Sequence, residues 1–307
     1  MMKKILVTGS NGLLGQKITD ISLGDPDISL IATSTGPNRH PLGKGYIYEE
    51  LDILDSQRLR ELIDTYNPDT IIHTAAMTNV DACEKDKKLC QTLNVEAVKN
   101  LILVCETSDI QLVHLSTDFI FDGENGPYTE EDVPNPLSYY GLAKLEAEKF
   151  LQASSCKWVI LRTIIVYGIV NDMSRSNIIL WAKEALEKGD PINVVYDQWR
   201  MPTLAEDLAK CCILASKKNA YGIFNASGKD MMSIIELVER VADFWKLDKS
   251  LIKPISSGSL NQVARRPKRT GFILDKAFRE LQYNPRSFEE GLAIVDAQLK
   301  KRNFKIV

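Results

Sequence analysis

Tyr140 and Lys144 stand four residues apart in Tyr140-Gly141-Leu142-Ala143-Lys144, a spacing that puts a phenol and an ammonium on one face of a helix, a turn apart. A tyrosine at its ordinary pKa of about 10 is a slow acid–base near neutrality, and a neighbouring ammonium favours its phenolate. The pair therefore suits a proton relay that interconverts a carbonyl and an alcohol. Alone, the spacing is common on surface helices. Upstream, Leu115-Ser116-Thr117-Asp118 closes a predicted strand, at the sheet edge where open α/β sheets bind ligands. A Thr117 hydroxyl there can donate to a carbonyl oxygen as it gains negative charge. The plainer alternative is a strand-to-loop turn in which Thr117 caps backbone groups.

A second chemistry-bearing pattern opens the chain. Ile5-Leu6-Val7 runs into Thr8-Gly9-Ser10-Asn11-Gly12-Leu13-Leu14-Gly15 and then into a helical pattern. Gly9 allows a tight turn, Gly12 lets backbone N–H groups approach a pyrophosphate, and Gly15 lets the helix pack close to the sheet. The helix then aims its positive end at the phosphates. A plain tight turn is the alternative, and the strand–turn–helix context favours a nucleotide cofactor.

The elements that must hold these residues follow from apolar periodicity. Strands are predicted near 3–8, 28–33, 46–48, 70–74, 111–116 and 157–162, most as continuous apolar runs suited to parallel strands covered on both faces. Helical patterns fall between them near 13–22, 55–66, 90–107 and 137–153, with Asn67-Pro68-Asp69 as a turn. This alternation predicts an α/β fold, a doubly wound parallel sheet of the Rossmann kind. After about residue 166 the rhythm changes to helical segments at 174–188, 204–217, 233–245 and 287–301. We therefore expect a dinucleotide-binding domain over 1–165 and a smaller, mostly helical substrate lobe over 166–307, with some elements returning to the main sheet.

Bulk composition narrows the partners. The 307 residues are 44% hydrophobic and 26% charged, ordinary for a soluble globular protein. A net charge of −3 leaves no electrostatic footprint for nucleic acid or an anionic membrane. No apolar run approaches the roughly 20 residues that span a bilayer, and the start does not read as a signal peptide. The six cysteines contain no C-x-x-C pair, so reduced thiols in a cytoplasmic protein are expected. His40, His73 and His114 are scattered, which argues against a metal site.

The matches run nearly end to end and identify a family resemblance. The glycine turn, His73-Thr74-Ala75-Ala76, Asn94 in Leu93-Asn94-Val95, Ser116-Thr117 and the Tyr140/Lys144 pair together resemble an extended short-chain dehydrogenase/reductase. Within that superfamily the chain is most similar to dTDP-4-dehydrorhamnose reductases. The similarity rests on Ala75–Asp81, Ser116–Gly123, Asn135–Gly141, Pro202-Thr203 with Asp207-Leu208-Ala209, and Ala264-Arg265-Arg266-Pro267. The resemblance implies that Tyr140 is the proton donor, Lys144 its partner and a ribose contact, and Thr117 the carbonyl polariser. Asn94 is implied to hold the helix and a water relay behind Lys144, or else to be an ordinary helix residue. Ala75, Ala76 and Thr78 would line the ribose and nicotinamide side. Asp118 joins Thr117 as a substrate contact. Arg265 and Arg266 are candidates for a nucleotide-sugar phosphate, with a solvated surface loop as the alternative.

Two departures bear on the substrate. Ile165, in Arg162-Thr163-Ile164-Ile165-Val166-Tyr167-Gly168, stands where the rhamnose reductases usually carry tryptophan. Trp199 is a candidate to fill that wall, or a residue that packs the lobe. Its segment Asp197–Thr203 is similar to the regulatory β subunit of methionine adenosyltransferase, a relative that keeps the fold and cofactor site and serves to bind a partner. The expected function is NAD(P)H-dependent reduction of a dTDP-linked 4-ketosugar. The alternatives are an epimerase or dehydratase on such a substrate and a silent dinucleotide-binding subunit. Asp118-Phe119 lacks the acid pair that dehydratases usually show after the catalytic threonine. For the cofactor, an acid is expected about 20 residues beyond the glycine turn to bind a ribose 2′-hydroxyl. Ala32-Thr33-Ser34-Thr35-Gly36 and Arg39 stand there instead, which suits a 2′-phosphate, so NADPH is expected, with NADH possible. Asp52 and Ile53 are expected beside the adenine, Asp52 having a strand-end turn as its alternative role. The sequence leaves the oligomer open, a homodimer among the options.

Overall fold

The computed structural model describes residues 2–171, 176–260 and 262–303. Its centre is a seven-stranded sheet built from β1 (Lys3–Thr8), β2 (Ile28–Ser34), β3 (Ile47–Glu50), β4 (Thr70–His73), β5 (Gln111–Thr117), β6 (Lys157–Thr163) and a late strand, Gly222–Asn225. Every pairing in it is parallel, and the spatial order is late strand, β6, β5, β4, β1, β2, β3. Because the central strands β1, β4 and β5 are buried on both faces, their apolar residues divide by alternation into two layers. Ile5 and Val7 face α1 (Leu13–Leu23) and α8 (Ala205–Lys217), whereas Leu6 faces α2 (Ser56–Tyr66), α5 (Ala97–Ser108) and α6 (Tyr139–Ala153). The predicted doubly wound α/β fold is the observed one, with strand ends within about two residues of the sequence reading.

The chain order reverses between β1 and β4, and ligands of open α/β sheets bind in the crevice that such a reversal opens. Gly9 sits at that point with φ +73°, and a Cβ on it would stand 2.8 Å from the Ala75 backbone nitrogen. Only glycine lets the two strand ends approach so closely.

Between β4 and α5 the structure departs from the sequence reading. The helix expected over 90–107 is present as a continuous helical stretch from α4 (Lys87–Gln91) through a π-helical turn over Thr92–Glu96 into α5; ahead of it the chain forms α3 (Val80–Lys85), which the reading did not include. Asn79 and Asp86 cap the two short helices with their side chains, accepting from Ala82 N and Leu89 N. These local Asn/Asp caps restart the chain twice, which periodicity alone does not register.

The later residues build a second core. There α7 (Ile178–Glu187), α9 (Ile234–Trp245) and α10 (Phe288–Asn303) pack around Tyr167, Ile192, Val194 and Ile252. Of the helix expected over 174–188, residues 174 and 175 lie outside the described residues. Short strand pairs join the helices, including Trp199–Arg200 with Met232–Ser233 and Val166–Tyr167 with Thr203–Leu204. Both α8 and the strand Gly222–Asn225 lie on the main sheet.

Helix α6 begins on Ser138, whose hydroxyl accepts from Gly141 N. Gly141 presses on the turn that follows β5: a Cβ there would overlap the Phe119 carbonyl. This contact ties the helix carrying Tyr140 and Lys144 to the turn carrying Thr117. Gly141→Ala should therefore cost about 1–3 kcal/mol of unfolding free energy by overpacking, read from denaturant midpoints. Unchanged stability would mean that the helix can slide away from the turn freely.

Candidate active site

Two hollows meet over the crevice. The larger, a cleft of about 540 Å³, is walled by Thr117 and Asp118 from the end of β5, Tyr140 and Lys144 from α6, Ile165 after β6, and Arg200 and Arg266 from the later chain. The smaller, of about 260 Å³, lies over Gly9, Asn11, Ser34, Arg39, Asp52, Ile53 and Ala75. Gly12, Thr74, Ala76 and Thr78 belong to both, so the two form one trough. Leu13 and Leu14 line its larger end.

The floor of the trough is the start of α1. Gly12 is its N-cap and offers no side chain to the first-turn N–H groups, which leaves them for an anion. Asn11 braces the rim: its Nδ2 donates to the Pro37 carbonyl at 3.0 Å and its Oδ1 accepts from Arg39 N at 2.9 Å. The loop after β2 is thereby pinned beside the glycine turn. Asp52 faces the hollow while its carboxylate accepts from Leu54 N at 3.0 Å, so it also serves the turn after β3. A glycine-floored trough with an uncapped helix start, bounded by Ser34 and Arg39, fits a dinucleotide. Gly15 and Ser10 shape the turn from behind: a Cβ at Gly15 would overlap the Gly9 carbonyl, and Ser10 N donates to the Thr33 carbonyl.

At the other end the side chains are nearly dry. Tyr140 is 9% exposed and Lys144 3%. Burial pushes the Tyr140 phenol well up, with the Thr117 hydroxyl pulling the other way. Burial pushes Lys144 down to about 8, against the raising influence of the Glu148 carboxylate and Cys90. Thr117 Oγ1 accepts from Phe119 N and donates to Asp118 Oδ1, both at 3.2 Å. To donate to a ligand it must turn its single proton away from Asp118.

Asp118 is itself buried beneath this end. It accepts from the Thr270 hydroxyl at 2.5 Å and lies 3.7 Å from Arg200 Nε. Burial raises its carboxyl above the usual range, while the Arg200 charge opposes that shift. Arg200 also donates to the carbonyls of Trp199, Pro267 and Lys268, so one guanidinium clasps the loop over 267–268 to the cleft.

Other expected residues fall differently. Asn94 is buried off the trough in the π-helical turn, where its Oδ1 accepts from Met77 N at 2.9 Å and its Nδ2 donates to the Met77 carbonyl at 3.0 Å. It fixes the loop that carries Ala75, Ala76 and Thr78. Arg266 reaches the cleft but is forked onto the carboxylate of Asp81, which holds Asp81 below its usual range. Arg265 is exposed and lies outside the lining. Trp199 also lies outside it, since strand alternation turns its neighbours Gln198 and Arg200 into the cleft and Trp199 outward. Ile165 lines the cleft with φ +31°, a strained backbone for a β-branched residue.

Gln198, Arg200 and Asp81 are contributors that sequence reasoning passed over. Arg200 and Gln198 lay in a segment singled out for its tryptophan, and Asp81 in a matched stretch read only as a whole. Among the described residues no group of three His, Cys, Asp or Glu is placed to hold a metal, and no helix is long and apolar enough to cross a membrane. All six cysteines are free and buried.

Comparison with known proteins decides the family. The model of the RmlD substrate binding domain matches residues 2–300. The chain belongs to this family. It is 30% identical over 276 residues to methionine adenosyltransferase 2 subunit beta of Rattus norvegicus, covering 87% of this chain and 79% of that one. It is also 30% identical over 302 residues to the probable low-salt glycan biosynthesis reductase Agl14 of Haloferax volcanii, covering 95% and 96%. Among solved structures, dTDP-4-dehydrorhamnose reductase from Bacillus anthracis in complex with NADP superposes with a TM-score of 0.82 at 25% identity, covering 97% of this chain and all of that one.

The Asn94 contacts generate a test. Asn94→Ala leaves Met77 N without its partner and the Met77 carbonyl with only the Cys83 thiol, and a buried unpaired group costs about 1–3 kcal/mol. Stability should fall by that amount and dinucleotide affinity should fall with it, read by NADPH fluorescence. Loss of stability with intact affinity would show that Asn94 does not set the loop's geometry.

Proposed function

We propose that this RmlD-family chain is an NAD(P)H-dependent reductase of a nucleotide-linked 4-ketosugar, converting dTDP-4-dehydrorhamnose to dTDP-rhamnose. The observation that carries the reading is convergence: Tyr140, Lys144 and Thr117 wall one end of a trough whose other end is a glycine turn and an uncapped helix start. When bound, the reduced nicotinamide supplies the hydride. The chain's own residues do the rest. Tyr140 gives its proton to the ketone oxygen, and its high proton affinity in the buried site suits a group that starts protonated. Lys144 presents an ammonium that stabilises the phenolate left behind. Thr117, swung off Asp118, donates to the same oxygen. Arg200, bonded to the Pro267 and Lys268 carbonyls, fixes the 267–268 loop beside that end.

The Agl14 and B. anthracis relatives, each named a reductase, support this assignment. Ser34 and Arg39 beside the smaller hollow support NADPH over NADH, since hydroxyl and guanidinium suit a 2′-phosphate. Ile165 offers the sugar an aliphatic wall smaller than tryptophan. Arg266 would meet the sugar-nucleotide phosphates while shared with Asp81, and exposed Arg265 could reach them only from outside the cleft. The free thiols support a cytoplasmic setting. The similarity to methionine adenosyltransferase 2 subunit beta supports a second reading, a regulatory subunit that holds a dinucleotide without turnover.

Turnover separates the two. With a panel of nucleotide 4-ketosugars, wild type should oxidise NADPH, and Tyr140→Phe should lower kcat by roughly 10²–10⁴ with cofactor affinity nearly unchanged. Wild type inert toward every sugar while still binding NADPH would favour the regulatory reading. The cofactor assignment has its own check. Arg39→Ala should weaken NADPH binding by about 1–2 kcal/mol and leave NADH nearly unaffected. Equal effects on both would remove Arg39 from the 2′-phosphate site.

A further inference from the structure

Behind Lys144 lies a row of polar side chains that the proposed chemistry does not use. Lys144 Nζ is 3.1 Å from Nε2 of His114, and both side chains are buried. His114 on β5 is in register with His73 on β4, and His73 with Thr8 on β1. The three therefore stand in line across the middle of the sheet, on the face otherwise filled by Leu6, Ile71 and Leu112. The imidazoles stack with centroids 5.7 Å apart, and His73 Nδ1 is 2.8 Å from Thr8 Oγ1. The Nδ1 of His114 is buried without a partner.

That orphan fixes the roles. An ammonium only donates, so while Lys144 is charged the lone pair must be on Nε2 of His114 and the proton on Nδ1. A ring N–H left unpaired in the core is destabilising. An apolar residue at 114 would avoid this loss and pack as well against Leu112. The arrangement is accounted for if an acceptor at Nε2 is what the site requires. The row cannot act as a proton wire, because the two imidazoles stack rather than hydrogen bond.

We propose that His114 is a positioning residue, whose neutral Nε2 accepts a hydrogen bond from the Lys144 ammonium, fixes Nζ at the cleft and keeps it protonated. The inference rests on the reading in which Lys144 serves Tyr140. Burial, Lys144 and His73 all hold the His114 imidazole well below its ordinary range, so it stays neutral. The other groups facing this pair are Tyr140 and Glu148 from α6, Cys83 from α3, Cys90 from α4, and Arg162 from β6, forked onto Glu148. None of these replaces a neutral acceptor at the Nζ.

The test reads Lys144 itself, without cofactor or sugar, so a failure of the reductase reading leaves it intact. In the full chain labelled with ¹³C-lysine, the Cε signal of Lys144, assigned through Lys144→Arg, is titrated from neutral to alkaline pH. Wild type should show a midpoint near about 8. His114→Leu should lower it by about one unit, since the charged form loses a hydrogen bond. His114→Gln, whose Oε1 can occupy the place of Nε2, should restore it, and His114→Asn, too short to reach, should not. A merely structural role would lower the melting temperature of these variants and leave the midpoint alone. If His114→Leu does not fold, the Asn and Gln variants decide. Equal midpoints in those two, or a wild-type midpoint in His114→Leu, would overturn the proposal.

Discussion

A primary ammonium taken out of water is costly, and much of the architecture around the cleft is explained by what it takes to keep Lys144 there. An isolated buried charge is not tolerated; it is paired, hydrogen bonded or neutralised. Lys144 has Glu148 one turn further along α6 and the neutral His114 beneath it from β5. Glu148 is in turn held by both arms of Arg162, at 3.1 and 2.7 Å. The helix bearing the ammonium is fixed by Ser138 at its start and by the glycine contact with the turn after β5. Sheet, helix and cation are thus mutually dependent, and Tyr140 is carried to the cleft by the same helix.

The two ends of the trough obey different physics. At the glycine-turn end the protein offers backbone: glycines that clear space, an uncapped helix start and a loop braced by Asn11. At the Tyr140 end it offers side chains in a dry setting, where Tyr140, Lys144 and Asp118 all have their proton affinities displaced by burial. Such displaced groups cluster where acid–base work is done. Arg200 connects this end to the later chain, since it meets Asp118 and holds the 267–268 loop at once.

Much of this was legible in the residues. Continuous apolar runs and their spacing located six strands of the sheet, because parallel strands buried on both faces leave that signature. The glycine turn and the Tyr140/Lys144 pair were legible because their spacing encodes geometry directly. What stayed hidden depended on tertiary register. Whether Trp199 or its neighbours face the cleft is decided by strand alternation at a two-residue strand, too short for a period to be read. The partnership of Arg266 with Asp81 joins residues 185 apart in sequence. His114 looked like a core histidine in an apolar strand, and its significance appears only when Lys144 arrives from another element. The short helix α3 ahead of Asp86 fell outside the helical pattern read from the residues, and the π-helical turn around Asn94 was lost within it.

The central claim is that Tyr140 and Lys144 serve hydride transfer to a sugar ketone. The most direct measurement uses NADPH deuterated at the transferring position of C4, mixed with the protein and a nucleotide 4-ketosugar under single-turnover conditions. The account expects deuterium at C4 of the product sugar, bonded to carbon and absent from the hydroxyl, with NADP⁺ formed one for one. Retention of all the label on the dinucleotide, with the sugar unchanged or merely epimerised, would contradict it.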